Sequence, residues 1–183
     1  DQKGLLMLCK TEKYLEKEKE VVDLAVQNGL RAKILNQNEI KIIEPNVNID
    51  SIGAAYFYCD HHTTPSELID ELKDFIQKKG VKCITHTEIE SFDIENNKIK
   101  SVNISNQNLR FDEYILSAGT WTSELCKKLG IELLLQAGKG YSINHSSKTE
   151  ISCPAILVEP KCAITPMNGF TRYSGTMEIS SIN

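Results

Sequence analysis

Apolar residues at Leu8, Tyr14, Leu15, Val21, Val22, Leu24 and Ala25 recur among the charges that run from Lys10 to Glu20. That spacing predicts one amphipathic helix over residues 5–28, with the charge run as its solvated face and Gly29 as its stop. A second, short helix starts where Asn36 and Glu39 stand three residues apart as a capping box, and Pro45 ends it. Residues 52–58 are glycine, alanine and aromatics, which suit a strand in a crowded sheet, and Asp60, His61 and His62 follow as a loop. A third helix opens with Thr64 as cap, Pro65 at the first helical position and Glu67 closing the box. Leu68, Ile69, Leu72, Phe75 and Ile76 give it one apolar face before Gly80.

Beyond Gly80 the period shortens. Residues 81–86, 88–94, 98–105 and 109–116 alternate or run apolar, with Asn96-Asn97 and Asn106-Gln107-Asn108 as turns. This predicts a strand that feeds a small meander and returns to a strand. The small residues Ser117, Ala118 and Gly119 break that last strand and lead into a short helix through Leu125 and Leu129, stopped by Gly130. Residues 133–145, 155–164 and 169–179 then read as strands of an open, partly antiparallel sheet. The expected fold is mixed, α+β or α/β.

Composition narrows the function classes. A chain of 183 residues that is 40% apolar can build a core. Its net charge of -4 offers no basic stripe for nucleic acid or an anionic membrane surface. No apolar run approaches the roughly 20 residues of a membrane span, so a soluble protein is expected. Six scattered cysteines without a C-x-x-C pattern fit neither zinc nor a disulfide framework, and read as reduced, mostly buried thiols. Asp1 at the start, and a closing strand without a terminal helix or polar tail, give the expectation of an interior fragment.

Candidate chemistry is sparse. A strand that ends in Leu116-Ser117-Ala118-Gly119 lets backbone approach a ligand at the carboxyl edge of a sheet. No G-x-G-x-x-G or Walker loop occurs, and Gly138-Lys139-Gly140 lacks both the spacing and a following helix. No nucleophile elbow and no His/Cys cluster at metal spacing is present, and His61 and His62 read as solvated loop residues. Glu159 and Lys161, flanking Pro160, read as an ion pair at a sheet edge. No catalytic base or metal ligand is assigned.

The order of several motifs is more specific than any one of them. Gln136-Ala137-Gly138-Lys139-Gly140-Tyr141-Ser142, Pro154-Ala155-Ile156-Leu157, Ala163-Ile164-Thr165-Pro166-Met167, and Arg172 with Gly175-Thr176-Met177-Glu178-Ile179 follow one another. With the strand from Gly53 to Asp60, Thr64-Pro65, Gly80-Val81, Thr87-Glu88-Ile89 and Leu116 to Thr122, this order resembles the D-amino-acid dehydrogenases of the flavin-dependent D-amino-acid oxidase superfamily.

That resemblance implies an incomplete oxidase-like fold. Residues 1–60 and 137–183 would form a substrate-domain mixed sheet with helices. Residues 61–136 would supply a helix, meander, strand and short helix of an FAD-binding domain. The dinucleotide-binding unit and a last flavin-contacting segment would lie outside the chain, so the fragment alone would not retain FAD. The resemblance places Ile89 at the adenine side of FAD, Ala118 and Gly119 near its pyrophosphate and ribitol, and Gly138, Lys139 and Gly140 near the isoalloxazine. Arg172 would clamp a substrate carboxylate, with Tyr141 and Tyr56 as pocket walls.

The implied activity is oxidation of a D-amino acid to a 2-oxo acid and ammonia by hydride transfer to FAD. A glycine or sarcosine oxidase, and a non-catalytic module that keeps the scaffold, stay open as alternatives. The implied setting is cytoplasmic, with peripheral association of the whole enzyme at the inner membrane face left open. The electron acceptor is not specified. An unpaired sheet edge gives the further expectation of self-association.

Overall fold

The computed structural model describes residues 2–147 and 149–179. The chain divides into two compact units, one of residues up to Leu72 with Gly140–Glu178, the other of Lys73–Lys139 with Ile179.

In the first unit the predicted long helix begins instead as a strand, β1 (Leu5–Cys9), and only then becomes α1 (Glu12–Gln27). The physical reason lies in the first five residues. Leu5-Leu6-Met7-Leu8-Cys9 is apolar without interruption, as befits a strand covered on both faces, and the charges begin only at Lys10. A short strand absent from the sequence prediction, β2 (Ala32–Asn36), leads into α2 (Gln37–Ile43). Asn36 both closes the strand and caps the helix. Its Oδ1 accepts from the Glu39 N–H at 3.0 Å, and Glu39 Oε2 accepts from the Asn36 N–H at 2.9 Å, the reciprocal box expected.

The third strand, β3 (Gly53–Phe57), lies where the sequence places it. A Cβ on Gly53 would stand 3.0 Å from the Leu35 carbonyl oxygen and 3.1 Å from Leu15, so glycine here lets α1 close onto the sheet. Helix α3 (Pro65–Lys78) starts where the sequence places it, but the two side chains of the expected capping box turn to Asn168: Thr64 Oγ1 accepts from its N–H at 3.2 Å and Glu67 Oε1 from its side-chain amide at 2.5 Å. None of the helix's residues is buried, and Leu68, Ile69, Leu72 and Phe75 are exposed.

Within the second unit, β4 (Ser91–Glu95), β5 (Lys98–Ile104) and β6 (Gln107–Leu109) make the antiparallel meander. Asn96 and Asn97 have φ of 52° and 60°, the left-handed pair that a tight two-residue hairpin turn demands. The next turn falls at Ser105-Asn106, one residue earlier than read. Residues 81–86 and 110–116, expected as strands, are irregular. They have suitable side chains but no ladder partner among the described residues, and a strand is made by its neighbour. Residues 131–137 are irregular for the same reason. A 3-10 turn (Gly119–Trp121) and α4 (Thr122–Lys128) follow the Ala-Gly break.

The remaining strands belong to the main sheet: β7 (Gly138–His145), the hairpin β8 (Ala155–Leu157) and β9 (Cys162–Met167), and β10 (Phe170–Ile179). The hairpin replaces the single strand read over 155–164, because Glu159-Pro160-Lys161 reverses the chain, with Lys161 at φ 52°. Among the described residues the order is β2-β3-β1-β8-β9-β10-β7. Strand β1 pairs parallel with β8 and antiparallel with β3. The core sits on the face of Leu6, Leu8, Leu35, Ala54 and Ala155, closed by Ile40 of α2 and by Cys153. All six cysteines are free thiols, with Cys9, Cys126 and Cys153 buried.

Candidate active-site groove

Strand register sorts the candidate residues between two faces. One row of directly paired residues runs Tyr56, Leu6, Ala155, Ile164, Tyr173, and the adjacent row runs Ala55, Met7, Ile156, Ala163, Ser174. Because successive residues point to opposite faces, these rows belong to opposite sides of the sheet. Arg172, paired with Thr165, shares the side of Ala163 and Ser174.

On that side a groove of about 750 Å³ opens between β7, β9 and β10. Gly140, Tyr141 and Arg172 line it, so three of the sequence-derived candidates come together there. Its floor is made of Ala163, Ser174 and Gly175, whose small side chains leave the backbone accessible. A Cβ on Gly175 would stand 3.3 Å from the Lys161 carbonyl oxygen, so this strand and the β8–β9 turn are in close contact.

Two polar pairs define the groove's chemistry. Arg172 Nε donates to Asn144 Oδ1 at 3.0 Å, and its guanidinium carbon lies 5.6 Å from the centre of the Phe170 ring. The Tyr141 hydroxyl donates to Glu178 Oε2 at 2.9 Å. That bond to a carboxylate, with some burial, pushes the phenol above its usual range, so Tyr141 stays neutral and a donor. Lys161 also lines the groove, while Glu159, its expected ion-pair partner, is engaged elsewhere. Glu159 Oε1 accepts from the Lys10 N–H at 2.9 Å and from the Thr11 N–H and hydroxyl at 3.1 Å, holding the two residues that lead into α1.

Two residues with left-handed backbone also stand at the groove. Among the described residues, seven non-glycine positions have positive φ, and five of them lie in the second unit, four in the meander turns and one at His86. The other two, Lys161 at 52° and Thr176 at 48°, both line the groove. A β-branched residue in this region, inside a strand, is a strong outlier, and such outliers concentrate at functional sites.

The remaining candidates lie elsewhere. Tyr56 is on the opposite face; its hydroxyl donates to the Lys3 carbonyl at 2.7 Å, and its ring covers Gly4, which stands at φ 70°. Ile89, Ala118, Gly119, Gly138 and Lys139 belong to the second unit. The Ile89 carbonyl accepts from Lys128 Nζ at 3.0 Å. Gly119 is at φ 55° with no atom within 4 Å of where a Cβ would project, an open backbone in the turn after Ala118. Asn144 and Glu178 were missed as site residues. Glu178 stood inside a quoted motif, but a polar residue at a strand end carries no sign of its partner.

A family model described as FAD dependent oxidoreductase matches residues 1–181. The chain belongs to that family. It is 28% identical over 182 residues to a D-amino acid dehydrogenase of Helicobacter pylori (strain ATCC 700392 / 26695), covering 98% of this chain and 43% of that protein. It is 25% identical over 188 residues to a D-amino acid dehydrogenase of Vibrio vulnificus (strain CMCP6), covering 100% of this chain and 45% of that one. The chain thus spans less than half the length of these relatives. The crystal structure of glycine oxidase from Bacillus cereus ATCC 14579 superposes with a TM-score of 0.85 at 23% identity, over 100% of this chain and 50% of that one. This last likeness shows the shared fold. The oxidase-like mixed fold expected from the motifs is therefore the observed one.

The family's cofactor sets a chemical requirement that these residues meet in part. The open backbone at Gly119 fits close approach of a cofactor. A diphosphate needs convergent N–H donors from a glycine-rich loop at a helix start, and no such loop exists in the sequence. Among the described residues, no helix is long and apolar enough to cross a membrane.

Proposed function

We propose that this chain carries the substrate-binding sheet and part of the FAD-binding domain of an oxidoreductase that converts D-amino acids to 2-oxo acids and ammonia. The observation that carries the reading is the groove itself, where Arg172, with its guanidinium held at Nε, stands beside Tyr141 over a floor of small residues. An arginine fork suits a carboxylate, because its remaining N–H donors match two oxygens. The similarity to D-amino acid dehydrogenases supports the choice of substrate class.

In this reading Arg172 binds the substrate carboxylate, and Tyr141 walls the groove, its one hydroxyl proton committed to Glu178. Glu178 holds the Tyr141 hydroxyl in place. Gly140, with Gly138 and Lys139, lies toward the flavin ring; Ile89, Ala118 and Gly119 lie toward the rest of the cofactor. Bound FAD supplies the two-electron acceptor for the hydride that leaves the substrate α-carbon. The substrate nitrogen, once deprotonated, becomes an imine, and water hydrolyses it to the 2-oxo acid and ammonia. The chain's task is to orient the α-carbon and keep water away until then. Tyr56 has no part in this, since it faces away from the groove.

The test is a dye-reduction assay on the intact protein that carries this chain, with D-alanine, L-alanine, glycine and sarcosine compared. Turnover of D-alanine is expected, with KM raised about 30-fold or more by Arg172→Leu, the loss of a charged hydrogen-bonded contact. Turnover confined to glycine or sarcosine would replace this reading with an amine oxidase.

A further inference from the structure

We infer that Asn144 is a positioning residue that fixes the Arg172 guanidinium so that its terminal nitrogens are presented to the groove. The inference rests on the proposed carboxylate role of Arg172. An arginine side chain has several soft torsions, and a free one loses affinity by having to be ordered on binding. Arg172 is restrained twice before any ligand arrives. Its Nε donates to Asn144 Oδ1 at 3.0 Å from β7, and its guanidinium lies against the Phe170 ring two residues back on β10.

The first contact decides orientation. Nε lies on one edge of the planar guanidinium, so an acceptor placed there fixes that edge and leaves both Nη groups for a two-oxygen partner. The second contact fixes only the plane. The amide suits this role better than a carboxylate. It accepts from Nε without adding negative charge, whereas an aspartate at this position would neutralise the arginine and repel an incoming carboxylate. Asn144 is exposed and lies near the end of β7, so no packing or capping demand accounts for the residue type.

The experiment measures D-alanine kinetics in the intact protein for Asn144→Leu, Arg172→Leu and the double variant. Calorimetric binding of D-lactate, which offers a carboxylate but no amine, gives a readout independent of turnover. The expected result for Asn144→Leu is a KM and a D-lactate Kd raised about five-fold at unchanged kcat, with no further rise when it is added to Arg172→Leu. Asn144→Ala serves as a second variant should leucine disturb the strand. If Arg172→Leu raises KM while both Asn144 variants leave it unchanged, or act equally in the Arg172→Leu background, the positioning role is overturned and the carboxylate role survives. If Arg172→Leu leaves KM and Kd unchanged, the carboxylate role fails, and the positioning role fails with it.

Discussion

Glu44 and Ser152, 108 residues apart, meet at the closed end of the core. The Glu44 carboxylate, 2% exposed, accepts from the Ser152 N–H at 2.9 Å, from its hydroxyl at 3.1 Å, and from the neighbouring Cys153 N–H. It thus ties the end of α2 to the segment that enters β8. Replacing Glu44 with Ala would leave two backbone donors without their acceptor and cost about 2–4 kcal/mol. Urea unfolding should show a lower midpoint for Glu44→Ala, with Glu44→Gln intermediate. A midpoint equal to the parent's would mean that water satisfies those donors equally well.

Thiol reactivity should separate sharply along the chain. Burial, with Glu18 and Glu159 nearby, pushes the Cys9 thiol up to about 11, and burial with Glu44 pushes Cys153 up to about 12. Cys83 is exposed. At a pH of about 7.5, below the ordinary thiol pKa, a maleimide or iodoacetamide should label Cys83 first, with Cys9 and Cys153 modified only on unfolding. Early labelling at Cys153, read by peptide mass mapping, would contradict the burial of this end of the core.

Acid should act on the meander through Asp93. Its carboxylate accepts from the Ser101 hydroxyl at 2.6 Å and from the side-chain amides of Asn103 at 3.2 Å and Asn108 at 2.6 Å, and these bonds hold its pKa below the usual value. The folded value is lower than the unfolded one. The contribution is therefore present above the unfolded pKa of about 3.9, and lost as pH falls through the folded value. Carbon-detected titration should place the Asp93 midpoint below that of a model peptide, and Asp93→Asn should shallow the acid limb of the stability curve. A midpoint at or above the peptide value would show that the three bonds do not hold in solution.

Thr176 offers a test of strain at the groove. Glycine tolerates φ near 48° without a Cβ penalty, so Thr176→Gly should raise stability by about 1 kcal/mol after its own entropy cost. Thermal unfolding decides this: a lower Tm would show that the threonine side chain contributes more than the backbone loses.

Local chemistry was legible in the sequence. Asn36 and Glu39 specify a helix start through two reciprocal bonds, Asn96 and Asn97 specify a tight turn, and Pro65 stands at the first position of another helix. Each depends on residues a few positions apart, and the ordered motifs along the chain carried the family. Residues 5–9 misled because an apolar run adjoining a helix can be read as either state, and the choice fell to β3 and β8, which lie 44 and more residues away. Residues 81–86 misled in the other direction, since strand-forming side chains do not supply a hydrogen-bonding neighbour.

The candidate site divides the same way. Gly140, Tyr141 and Arg172 were nameable because each stands in a motif, whereas Asn144 and Glu178 became meaningful only as partners of Arg172 and Tyr141. Sidedness was beyond sequence altogether: Tyr56 and Ala55 are adjacent in the chain but face opposite sides of the sheet, and only the register to β1 decides which side holds the groove. The sequence by itself determined caps, turns and family, because these are set by near neighbours and motif order. Tertiary structure alone decided which residues share a face, because that depends on pairing between strands far apart in the chain.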